Sequence, residues 1–161
     1  MPNISAVNRS RSTQTRLVLP PDTNHLESIF GGKVLAYIDE IAAIAAMKHA
    51  NSIVVTASID SVDFVSAAKV GNILELEAFV TATGRTSMEV YVKVQSIDVT
   101  TGTTALTTES FLTMVAVNEN GDPIPVPGVS PETEEEQRLF DSAPARKEHR
   151  KKRASVYNNH A

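Results

Sequence analysis

Apolar positions recur along this chain with two different periods. Between Lys33 and His49, residues Val34, Leu35, Ile38, Ile41, Ala42, Ala45 and Ala46 fall at i, i+3 and i+4 spacings, which predicts one long helix introduced by Phe30-Gly31-Gly32. Its remaining faces carry Ala36, Ala43 and Ile44, and a helix apolar on nearly every side is expected to be buried. From Ser52 the period changes to two. Ile53 to Phe64 is rich in β-branched residues, Leu74 to Ala82 alternates with Glu75, Glu77, Phe79 and Thr81, and Met88 to Val94 alternates with Glu89, Tyr91 and Lys93. Thr104 to Val117 supplies a further strand, and an antiparallel meander is the simplest pairing.

The breaks fit this reading. Arg16 to Leu19 forms a short strand stopped by Pro20-Pro21, because proline cannot donate to a sheet ladder. Thr83-Gly84-Arg85-Thr86 has the length of a hairpin connection, and Asn118 to Pro131 reads as a turn and an extended exit. Pro131 to Phe140 starts another helix, with glutamates in its first turns. The expected organisation is a flexible segment 1–15, one domain over 16–130, and a C-terminal helix with a basic tail over 131–161. The expected fold class is α+β, a strongly curved antiparallel sheet wrapped around one long central helix.

Composition removes several kinds of chemistry. With 161 residues, one domain is the starting expectation. No cysteine is present, which excludes disulfides, thiolate zinc sites, iron–sulfur clusters and a cysteine nucleophile. The N-terminal segment has no apolar core of a signal sequence and no stretch has the length of a membrane span, so a soluble cytoplasmic protein is expected. The net charge of −4 conceals an asymmetry: residues 146–153 carry +5 and the remainder −9. A terminal run of this kind is expected to be a solvated tail, and without interleaved aromatic residues no nucleic-acid partner is expected for it.

Against so apolar a helix, Asp39 and Glu40 stand out, since a buried carboxylate needs a partner, an interface or a function. The run from Asp22-Thr23-Asn24-His25 through Phe30-Gly31-Gly32 to Tyr37-Ile38-Asp39-Glu40 resembles the loop-plus-helix signature of hotdog-fold acyl-CoA thioesterases of the bacterial single-hotdog type. A second block, from Val62-Asp63-Phe64 through Gly71 to Gly84-Arg85-Thr86-Ser87-Met88-Glu89-Val90, is similar to the CoA-binding half of that family. Two departures lie on the acyl and CoA rim. The proline usual after Phe64 is absent, and Gly71-Asn72 stands where Gly-Asp is usual.

Thioester hydrolysis requires an activated water and stabilisation of an oxyanion, whereas the thiolate leaves with little help. Gly31 and Gly32, at a helix N-terminus with unpaired N–H groups, are the oxyanion-hole candidates. Asn24 would hold the water or the carbonyl, as the resemblance implies; by residue type alone a turn role after Asp22 is the better reading, and the resemblance reverses that preference. Asp39 is the general-base candidate, with an interfacial ion pair to Lys48 or Arg85 of a neighbour as the bland reading. Seven residues beyond Gly32, it lies about 10 Å along the helix axis from those N–H groups. Two such helices packed antiparallel in a symmetric dimer would bring Asp39 of one subunit to Gly32 and Asn24 of the other. The resemblance implies the same shared site, and a hexamer built as a trimer of dimers.

Gly84, Arg85, Thr86 and Ser87 offer turn N–H groups, hydroxyls and a positive charge for pantetheine or phosphate, and Phe64 is a candidate lining for the substrate. His25 has no second histidine at metal or triad spacing. No metal and no cofactor beyond substrate CoA is expected. A non-catalytic acyl-CoA sensor and a hotdog hydratase or dehydratase remain the alternatives.

Overall fold

The computed structural model describes residues 3–158. Strand β1 (Ile4–Ala6), a 3-10 turn (Val7–Arg9) and β2 (Ser12–Leu17) precede helix α1 (Gly31–Ala50). Strands β3 (Ile53–Ile59), β4 (Ile73–Thr83), β5 (Ser87–Ile97), β6 (Thr104–Val117) and β7 (Gly128–Ser130) follow, and helix α2 (Glu134–Asn158) ends the described chain. The main sheet is antiparallel with order β2-β4-β5-β6-β3, and β1 pairs parallel with β7.

The sheet curls around α1 for a compositional reason. Val34, Ile38, Ile41, Ala42, Ala45 and Ala46 are buried on α1, facing the inward members of each strand, among them Leu74, Leu76, Val90, Val92, Leu112 and Met114. Alanine on the helix lets strand backbones approach, while each large side chain so buried stabilises by about 1.5–3 kcal/mol. Register shifts near Thr81 and near Ala57 add the extra residue that bends a strand, closing the sheet onto the helix. Asn51 ends α1 in the left-handed conformation at φ 52°, its N–H donating to the Met47 carbonyl.

Three expectations are corrected. The strands do not form a simple meander: β3 lies beside β6, and residues 60–72 carry the chain across to β4. Local periodicity marks a strand but does not choose its neighbour. The segment 1–15, expected to be flexible, is structured from Ile4, because Ser12 to Leu17 pair with Ala78 to Ile73.

The basic run is not a solvated tail either. Residues 146–153 continue α2 over the outer face of the sheet, where Arg146, Arg150 and Arg153 meet Glu89 and Asp60. That outer face carries an aromatic row, Phe79, Tyr91 and Phe111, with ring centroids 5.4 and 5.3 Å apart. Arg11 and Arg146 cap its two ends at 4.2 and 4.0 Å from the rings.

Candidate active site

Asn24 sits in a loop closed on itself. Its N–H donates to the Ser28 carbonyl at 2.8 Å, and its side-chain Oδ1 accepts from the N–H groups of Leu26 (2.9 Å) and Ser28 (3.2 Å). The turn role weighed from sequence is therefore real, and it has a chemical consequence. With the amide oxygen occupied by the backbone, the Asn24 NH2 group is the end left for a ligand, and it can only donate. Glu27, at φ 60°, completes the loop.

The same loop delivers the start of α1. Phe30 is the extended N-cap, and no side chain among the described residues caps the helix. Among the described residues, the N–H groups of Gly31 and Gly32 have no partner, so two donors and the positive end of the helix dipole face outward. Phe64 packs on this terminus: a Cβ at Gly31 would lie 3.0 Å from its ring, whereas one at Gly32 would meet nothing within 4 Å. A side chain at Gly31 would thus press on the Phe64 ring, and Gly32 is open to an approaching ligand. Residues 60–72 are tied to the loop by Ile29 N–H to the Ala68 carbonyl and Val70 N–H to the Glu27 carbonyl. The fold therefore brings Asn24, Gly31, Gly32 and Phe64 to one place.

Asp39 lies elsewhere on the helix, on a stripe with Leu35, Ala43 and Met47 at four-residue spacing. Leu35 is 36% and Met47 41% exposed, although both are apolar. Asp39 forms no ion pair with Lys48 or Arg85 within the protomer; instead Thr56 on β3 donates to its Oδ1 at 2.7 Å. Oδ2 has no partner among the described residues and remains an acceptor. Thr56 was not singled out from sequence, since a threonine in a strand is ordinary and its partner is seventeen residues away. Glu40 points away from Asp39 to Arg16 (3.0 Å) and Gln14 (3.2 Å). His25 is exposed and, among the described residues, not hydrogen-bonded.

The Gly84–Ser87 hairpin is at the opposite end of α1 from Asn24. Its carbonyls anchor the exit segment and the end of β6, with Val126 N–H donating to the Arg85 carbonyl and Ala116 N–H to that of Thr86. The exposed Arg85 guanidinium makes no ion pair among the described residues and is free to meet an anion. Within one protomer no hydrogen bond joins the hairpin, Asp39 and the Asn24 loop among the described residues. Nor do the described residues include a group of three histidine, aspartate or glutamate side chains placed to hold a metal. No helix among them is long and apolar enough to cross a membrane.

Comparison with known proteins adds the context for this geometry. The family model described as Thioesterase superfamily matches residues 26–103. The uncharacterized acyl-CoA thioester hydrolase YkhA of Bacillus subtilis is 47% identical, over 89% of this chain and 84% of its own. An apo-hexameric acyl-CoA thioesterase superposes with a TM-score of 0.94 at 73% identity, over 96% of this chain and 99% of that one. The acyl-CoA hydrolase of Staphylococcus aureus, solved with butyryl coenzyme A, coenzyme A and coenzyme A disulfide, has a TM-score of 0.92 at 46% identity, over 97% of this chain and 95% of its own. Structures of that enzyme also exist with an asparagine, an aspartate or a threonine replaced by alanine, the first two fifteen positions apart and the last two seventeen.

Proposed function

The chain belongs to the thioesterase superfamily, and we propose that it hydrolyses fatty acyl-CoA to a free fatty acid and CoA at a site shared between two subunits. The observation that carries this reading is Asp39: a carboxylate on an otherwise apolar helix, oriented by Thr56, on an uncovered apolar stripe beside the edge strand β3. A second copy packed antiparallel would cover Leu35 and Met47, extend the sheet across β3, and bring its own Asn24 loop to Asp39. The spacings of Asn24, Asp39 and Thr56 equal those of the three residues replaced in the S. aureus hydrolase, which supports assigning these roles together.

In this mechanism Asp39 Oδ2 takes a proton from water as the water oxygen bonds to the thioester carbonyl carbon. The oxyanion is held by the Gly31 and Gly32 N–H groups and by the Asn24 NH2 of the partner protomer. Collapse breaks the C–S bond, releasing the fatty acid and the CoA thiolate, which regains a proton. Thr56 fixes the carboxylate so that Oδ2 faces the water. Phe64 lines the entry over Gly31, and Gly84, Arg85, Thr86 and Ser87 contact pantetheine or phosphate. The hexamer of the 73%-identical thioesterase supports the same assembly, a trimer of such dimers, for this chain.

The test is thiol release from acyl-CoA substrates of increasing chain length, with wild type, Asn24→Ala and Asp39→Ala each checked for folding and assembly. Turnover that falls at least about 10²-fold in Asp39→Ala supports the mechanism. Binding of acyl-CoA without turnover in wild type would replace it with an acyl-CoA sensor.

A further inference from the structure

A cavity of about 610 Å³ lies on the face of the sheet opposite α1, between β4–β6 and α2. Its wall residues Glu89 and Thr113 alternate with inward-facing Met88 and Met114, and Ala82, paired with Glu89 beyond the register shift that follows Val80, shares their side, so these side chains project away from the core and from Asp39. The two faces are one residue apart on β6: Met114 Sδ is 3.5 Å from Thr56 Oγ1 on the inner side, and Thr113 lines the outer cavity.

The cavity is apolar in its body and positive at its rim. Ala82, Val129, Phe140, Ala143 and Pro144 form the body, and its lip includes Ile4, which is 74% exposed. The charged residues differ in what they have left to offer. Glu89 is held by Arg146 and Arg150, and Arg150 is shared with Asp60, so these charges are spent on one another. Lys147 is exposed and forms no ion pair among the described residues. The hydroxyl-bearing Thr83 and Ser87 complete a polar end; Ser87 belongs to the hairpin assigned above to pantetheine or phosphate, so the cavity abuts the CoA contact and is separated from it by which ligand it holds. One uncommitted cation next to an apolar body matches one negative charge on an apolar tail, and the volume is within the range of small-molecule sites.

We propose that this cavity is a second ligand site, taking a single-tailed carboxylate of the fatty-acid class, with its head at Lys147 and its tail against Phe140 and Val129. A fatty carboxylate is also the product of the proposed reaction, but the site rests on the packing of α2 against the sheet and not on that reading. The thioester substrate lacks the free carboxylate and is not its ligand.

The probe is 11-(dansylamino)undecanoate, titrated by fluorescence into the full-length assembly, with its methyl ester as the uncharged control. The expected result is one probe per chain, weakened about tenfold in Lys147→Glu through loss of the ion pair and added repulsion. Ala82→Leu, which narrows the body, weakens the acid and the ester alike. Asp39→Ala binds as wild type does, so a failure of the hydrolysis reading leaves this result standing. Equal affinity for acid and ester, no effect of Lys147→Glu, or displacement of the probe by CoA overturns the proposal. Absence of binding also overturns it, and means that a neighbouring copy or the protein itself fills the cavity.

Discussion

Thr56 Oγ1 donates a 2.7 Å hydrogen bond to Oδ1 of Asp39, joining the edge strand β3 to the middle of the central helix. The contact occupies one carboxylate oxygen and leaves the other open, which converts a freely rotating side chain into an oriented one. Because β3 is also an edge strand, unpaired on one side, anything that docks there meets Asp39 already positioned.

Removing that hydroxyl should slow the chemical step more than it weakens binding. In Thr56→Ala we expect kcat to fall by about tenfold or more, the scale of one hydrogen bond to a charged group, with KM changed little. Thr56→Ser restores the donor and should recover most of the activity, whereas Thr56→Val, equal in shape, should not. Steady-state thiol release on the four proteins checks this; equal rates in Ser and Val variants would mean that Thr56 only packs.

The two glycines at the start of α1 should respond differently to the same substitution. A methyl group at Gly31 meets the Phe64 ring at 3.0 Å and must displace it, while at Gly32 it meets open space. Gly32→Ala is therefore expected to keep or raise stability, by up to about 1 kcal/mol from helix propensity, yet to lower kcat/KM by crowding the carbonyl. Gly31→Ala should disturb Phe64 as well, visible as a change in chain-length preference. Thermal melts paired with kinetics on both variants separate the effects.

How much of this was legible in the sequence depends on whether the signal is local. Helix α1 and strands β4 to β6 were readable because burial imposes a period on consecutive residues, and Asp39 because it interrupts an apolar helix. Thr56 was not, because nothing near it in sequence names its partner. The docking of α2 shows the same limit. Arg146, Arg150 and Arg153 fall on one helical face by their spacing, but Glu89 and Asp60 are more than fifty residues away. The choice of β6 as neighbour of β3 is likewise set by the crossing of residues 60–72.

The α2 clamp should be visible in acid. Burial pushes the Glu89 carboxyl up, but hydrogen bonds from Arg146, Thr81 and Arg150 outweigh it and hold it below its ordinary 4.5. The folded state then binds fewer protons than the unfolded chain, so this stabilisation is complete above 4.5 and is lost as pH falls towards the lower folded value. Glu89→Gln should flatten that part of the stability curve. Arg146→Ala, which leaves the buried carboxylate short of its main partner, should cost about 3 kcal/mol in chemical denaturation at neutral pH.

A separate dependence should come from His49, in a higher pH range. Its side chain is fully buried, Nε2 lies 2.8 Å from the Pro127 carbonyl, and Nδ1 has no partner among the described residues. A carbonyl accepts only, so Nε2 carries the proton and Nδ1 is the bare nitrogen. Burial lowers the pKa from 6.5, the Pro127 bond raises it in part, and Arg9 lowers it further. The folded state therefore takes up the second proton less readily than the unfolded chain, and stability is expected to be full above 6.5 and to fall below it until the folded imidazole titrates. His49→Gln, which keeps an N–H for Pro127 but cannot titrate, should remove the slope that begins below pH 6.5, leaving the carboxylate losses of Glu89 and Asp98 at lower pH. Nitrogen NMR of the ring at neutral pH should show the Nε2–H tautomer; a ring protonated on both nitrogens there would contradict the buried neutral form and the predicted slope with it.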